Sequence, residues 1–161
     1  MIRFPAACGS AASRSRALLI VATLLLAVPF AFLASPPSGT LNDATTQLTW
    51  TGSSLTSAPV FSASTCQTTR DCDVFRLALN VSDAYRAANP NFVVFIRLDW
   101  TRTTDDFDLF VRKDGSAVDD SGQGFTNFEE VRLDHPANGA YDVYAHSFAT
   151  APANFPSGSS W

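Results

Sequence analysis

The body of this sequence predicts an all-β fold, with two antiparallel sheets packed into a sandwich. Three observations point that way. Short runs alternate apolar and polar residues with a period of two. Gly, Asn, Asp and Pro punctuate them at intervals suited to tight turns. No stretch after the N-terminal segment carries apolar residues at helical spacing over the length a stable helix needs. An up-and-down barrel is the alternative way to close the same strands.

The elements come in this order. "MIRFPAACGSAASRSR" is basic, with Arg3, Arg14 and Arg16, and "ALLIVATLLLAVPFAFLA" is an unbroken apolar run from Ala17 to Ala34. A basic region, an apolar region and "SPPSG" have the layout of a secretory signal. Residues 1–34 are therefore read as a helical signal peptide or, if uncleaved, a membrane anchor over residues 17–34, and the chain beyond them as exported. Residues 35–44, rich in Pro, Ser and Gly, read as a linker, and 45–150 as the sandwich domain. Leu48 and Trp50 alternate in a first strand, and a short strand or loop surrounds Val60 and Phe61. "CDVFRLALNVS" puts Phe75, Leu77, Leu79 and Val81 on one face. "DAYRAANPN" has turn chemistry. "FVVFIRLDW" is apolar on both faces at its start, which suits a central strand. "FDLFVRKDG" ends in Asp114-Gly115, a tight-turn pair. "SAVDDSGQG" is a short strand and loop, "NFEEVRLDHP" is a strand ended by Pro136, and a last strand carries Tyr141, Val143 and Ala145. Residues 151–161 read as a closing loop.

Charge and cysteine usage narrow the function. The chain has 11 basic and 15 acidic residues, and three of the basic ones precede Ala34. The exported part is thus strongly acidic, which argues against nucleic acid and anionic membrane surfaces as partners. The exported part keeps two cysteines, Cys66 and Cys72. An even pair in an oxidising compartment reads as a disulfide, contributing about 2–3 kcal/mol for so short a ring. No Cys or His stands at zinc spacing from them, and the separation is too long for a CxxC redox motif.

"TTDDFDLFVRKDG" is the segment that looks most like chemistry. Asp106 and Asp108 share a strand face and Asp105 takes the other. One reading makes Asp108 a structural acceptor for backbone N–H groups of a crossing loop, with Asp105 dispensable. The other makes Asp106, Asp108, Asp119 and Glu130, with Asp120 and Glu129 beside them, oxygen ligands for calcium. A glycosidase pair needs carboxylates facing each other across a cleft, which neighbours on one strand do not supply. His135 and His146 lack a nucleophile context and read as structural. Trp100, Phe107, Phe110 and Tyr144 are candidates for an outward platform that stacks on sugars.

Asp106, Asp108, Leu109, Val111, Gly115, Ser121, Glu130, Leu133, Pro136, Gly139, Tyr141 and Val143 stand at the places of a D-x-D-L-x-V strand, a Gly turn, a Ser-containing loop, an E-x-v-x-L strand and a P-x-x-G-x-Y-x-V run. In this the chain resembles the bacterial pre-peptidase C-terminal domain family over roughly Thr45 to Phe148. The resemblance implies a jelly-roll sandwich, a non-catalytic accessory module of secreted enzymes and surface proteins, and binding of polysaccharide, protein or calcium in some members. The expected function is therefore adhesion to, or targeting onto, an extracellular polymer. The alternative is a folding-support domain of a larger exported hydrolase with no ligand of its own. No cofactor other than calcium is expected.

Overall fold

The computed structural model describes Ala34, residues 36–53, 55–66 and 71–149, and the backbone of 157–160. The segment read as signal or anchor lies outside the described residues, except for Ala34. Among the described residues nine strands form two sheets: β1 (Ser38–Asn42), β2 (Leu48–Thr51), β3 (Cys72–Asn80), β4 (Val93–Asp99), β5 (Asp106–Lys113), β6 (Ser116–Ser121), β7 (Phe128–Asp134), β8 (Gly139–Ala149) and β9 (Ser157–Ser160). Sheet I has the order β1-β3-β8-β5-β6 and sheet II the order β2-β9-β4-β7. Among the described residues no helix is long and apolar enough to cross a membrane.

The core lies between the sheets and keeps the two-residue period. Phe75, Leu77 and Leu79 of β3, Leu109 and Val111 of β5, and Tyr141 and Val143 of β8 meet Trp50, Val94, Ile96, Val131 and Leu133 from sheet II. Trp50 stacks on Phe75 at 4.3 Å between ring centroids, joining the two sheets. The β5–β6 hairpin turns on Asp114 and Gly115, with φ of 51° and 77°. Two positive φ values make the turn whose twist matches the flanking strands.

Four expectations are corrected. Residues 35–44 are not a linker: β1 lies there and pairs with β3 in parallel, Ser38 opposite Arg76 through Asn42 opposite Asn80. The sheets are consequently not wholly antiparallel. Residues 151–161 are not all loop, because β9 lies between β2 and β4 and pairs antiparallel with both. "DAYRAANPN" holds a short helix, α1 (Asp83–Ala88), whose N-cap Ser82 accepts a hydrogen bond from the Tyr85 N–H at 3.0 Å.

The outer face of sheet I is covered at one end. Residues 58–66 cross it as a strap, anchored by the Ala58 N–H donating to the Ser147 carbonyl at 2.8 Å. The Cys66–Cys72 disulfide closes the strap, with 5.3 Å between Cα atoms. Phe61 on the strap stacks on Phe110 at 4.0 Å and meets Tyr144 edge-on at 5.3 Å. Cys66, Cys72, Val74 and Tyr144 form the buried floor of this second apolar cluster.

Candidate functional site

The aspartates of the "TTDDFDLF" segment part company in the structure. Asp106 and Asp108 share the outer face of sheet I, as their spacing predicts. Partial burial and then the neighbouring Asp108 charge push the Asp106 carboxyl above its ordinary range. Asp108 Oδ2 lies 3.3 Å from His146 Nδ1. Asp105 is not dispensable surface. Its side chain is fully buried with Arg102 3.8 Å away, and its carbonyl accepts the Trp100 Nε1–H at 3.0 Å.

The calcium candidates do not converge. Asp119 is exposed on β6, opposite Val111 of β5. Glu130 is on the outer face of the other sheet, 3.6 Å from Arg97. Among the described residues no three His, Cys, Asp or Glu side chains gather to hold a metal.

The sugar platform is also corrected. Trp100, Phe107 and Tyr144 are all buried. Trp100 and Phe107 meet edge-on at 5.2 Å at one end of the core, and Tyr144 lies under the strap, where burial first and then Asp142 raise its hydroxyl above the ordinary range. Phe110 is half-covered by Phe61.

The loop-holding carboxylates are different residues. Glu129, 1% exposed, accepts the Gln123 N–H at 2.8 Å and the hydroxyl of Ser121. It stands in phase with the inward Val131 and Leu133, and that phase is readable in the sequence. Asp73, also buried, accepts the Ser53 N–H at 2.6 Å and the Ser53 hydroxyl at 3.0 Å. His135 ties the β7–β8 connection to the segment that precedes β4 through its Nε2 contact with the Pro90 carbonyl.

The outer face of sheet II, in contrast to that of sheet I, presents a continuous stripe to solvent. On β4 it carries Phe95, Arg97 and Asp99, and on β7 Phe128, Glu130, Arg132 and Asp134. Phe95 is opposite Arg132, Arg97 opposite Glu130 and Asp99 opposite Phe128. The Arg97 guanidinium lies 4.0 Å over the Phe128 ring and 2.9 Å from Asp99. The Arg132 guanidinium is 5.9 Å from the Phe95 ring centroid and 2.9 Å from Asp134. Beyond Phe128 the stripe runs into the β6–β7 loop that Glu129 holds. At the tip of that loop Phe125 is fully exposed, with φ 67°. Chemically the stripe offers ring faces flanked by side-by-side donors and acceptors, suited to holding a polar polymer that has apolar patches. The β7 residues Phe128 and Arg132 and the tip residue Phe125 were not among the residues singled out by sequence, whose aromatic candidates lie elsewhere.

No family model matches the chain, and no curated protein matches it at a significant level.

Proposed function

We propose that this chain is an exported, non-catalytic β-sandwich module of jelly-roll type that adheres to extracellular polymer, carbohydrate or protein, through the outer face of sheet II. The observation that carries the reading is the stripe from Phe95 and Arg132 through Arg97 and Phe128 to the fully exposed Phe125. Seven residues of β4 give it a length of roughly 20 Å at the rise of a strand. Surface ion pairs contribute only about 0–1 kcal/mol to stability. The arginines and acids of the stripe can therefore be substituted at little cost to stability, which makes a binding test on them clean.

The strand orders β2-β9-β4-β7 and β3-β8-β5-β6 match two interleaved Greek keys, and this supports the jelly-roll reading and the resemblance to the pre-peptidase C-terminal domains. The basic leader and apolar run support export. The non-catalytic reading is supported by the Asp108–His146 pair: His146 is 1% exposed and out of a substrate's reach.

Co-sedimentation with insoluble polysaccharides and fibrous proteins tests the proposal. The wild-type chain should sediment with at least one of them, and Phe128→Ala or Phe125→Ala should weaken binding several-fold with unchanged stability. Failure to bind any polymer, or binding indifferent to both substitutions, would count against it. A second reading, a folding-support domain without a ligand, is favoured by the burial of Trp100, Phe107 and Tyr144, and that is the reading a blank result would leave.

A further inference from the structure

A row of three side chains crosses sheet I beneath the strap. Cys72 on β3 is directly opposite His146 on β8, and His146 is directly opposite Asp108 on β5. All three have the phase of the outer face, and Cys66 is tied to the row through its bond to Cys72. In adjacent antiparallel strands such opposed residues have Cβ atoms about 4.5–5.5 Å apart.

The histidine is the unusual member. Asp108 Oδ2 lies 3.3 Å from His146 Nδ1, and in the neutral ring whose Nδ1–H donates to that carboxylate Nε2 is the bare nitrogen. It is buried and has no hydrogen-bond partner among the described residues, a costly state for a polar atom and one that calls for an explanation. Nδ1 is turned toward β5, so Nε2 is turned away from it. The residue across the other neighbouring strand is Cys72. A histidine that gives its far N–H to a carboxylate and keeps its other nitrogen bare has the arrangement typical of a metal ligand.

We propose that Cys66, Cys72 and His146 form a redox-gated site for Zn²⁺, with Asp108 as the positioning residue that orients His146. In the oxidised protein the two sulfurs are bonded to each other, and no such group exists among the described residues. A dithiol reductant opens the site. It gives two electrons to the Cys66–Cys72 bond and is itself oxidised to a disulfide, leaving two protein thiols. The cation then replaces both thiol protons, which go to solvent, and takes two thiolates and Nε2, with the fourth position left to water. Thiolate and imidazole donors select zinc over calcium. The site is thus distinct from the oxygen-ligand site that the acidic stretch suggested.

Cobalt as a spectroscopic substitute, with zinc competition afterwards, tests this on the full chain. The reduced wild-type protein should bind one Co²⁺ with a thiolate charge-transfer band and the visible bands of a tetrahedral site, and Zn²⁺ should displace it. The oxidised protein should show neither band. Cys72→Ser and His146→Asn should each abolish the tetrahedral spectrum. Asp108→Asn should retain the spectrum and weaken affinity by about 10–100-fold. No cobalt binding by the reduced wild type would overturn the proposal, as would His146→Asn binding with wild-type affinity and spectrum. If His146→Asn does not fold, as judged by circular dichroism of the oxidised form, Asp108→Asn decides: unchanged affinity overturns the site. Reduced wild type that loses its fold and binds no better than the His146 variant also counts against it.

Discussion

Two buried carboxylates, Asp73 and Glu129, fasten the connections that matter most to the surface, one at Ser53 and one at Ser121 and Gln123. Each removes a loop donor from competition with water, so truncation strands that donor. Glu129→Ala should lower stability by about 1–3 kcal/mol in urea unfolding, and Glu129→Gln, which keeps one acceptor oxygen, by less. Asp73 carries a further signature. Burial, the largest influence, raises its carboxyl above the ordinary aspartate range, against the lowering by Ser53. The native state therefore holds this proton to higher pH than the unfolded chain does. Its contribution is fully present below the unfolded-state value and is lost as pH rises through the folded-state value. Asp73→Asn should remove that decline, so its stability relative to wild type should rise across the acid window. Urea midpoints measured from below 3.8, the ordinary aspartate value, up to neutral pH check the sign, and a relative fall would refute it. At this scale the sequence was half legible. The phase of Glu129 with Val131 and Leu133 marks it as inward, but the pairing of His146 with both Asp108 and Cys72 depends on a three-strand register that no local spacing encodes.

The strap is the element that the Cys66–Cys72 disulfide closes. Its apolar contacts to the sheet centre on Phe61, which stacks on Phe110 and touches Tyr144 and His146 edge-on. Replacing both cysteines by alanine should cost about 2–3 kcal/mol and leave the sheets paired. Hydrogen exchange should then quicken at Ala58, whose N–H bonds Ser147, while the amides of β5 stay protected. Uniform loss of protection would mean that the strap is part of the cooperative core. Most elements legible in sequence were those whose side chains alternate: β2, β3, β4, β5, β7 and β8 carry inward residues at every second position, and β6, also expected as a short strand, has no such phase. β1 and β9 were missed because "SGTLN" and "SGSS" have almost no apolar phase; they are strands because their backbones pair. The helix α1 was missed because six residues are too few to show a helical period, although Ser82 is a standard cap.

For the molecule as a whole, two unequal outer faces arise from one sandwich. Sheet I gives one end of its outer face to the strap, and sheet II leaves an arginine–aromatic stripe outside. Closure of sheet II depends on β9, which is hydrogen-bonded to β2 on one side and β4 on the other. Ending the chain after Ala149 should leave β2 without a strand partner and expose a new edge on β4. We expect such a chain to be insoluble or to lose the cooperative melt of the full-length protein, as read by calorimetry; an unchanged melting temperature would show β9 to be dispensable. The place of β9 also orders events in time. Ser157–Ser160 is made after every other described strand, yet its position is central in sheet II. While the chain is being synthesised, β2 and β4 must wait more than fifty residues for the strand that joins them. Sheet II therefore cannot close before β9 has been made, so joining β2 to β4 is a late step that depends on contacts distant in sequence.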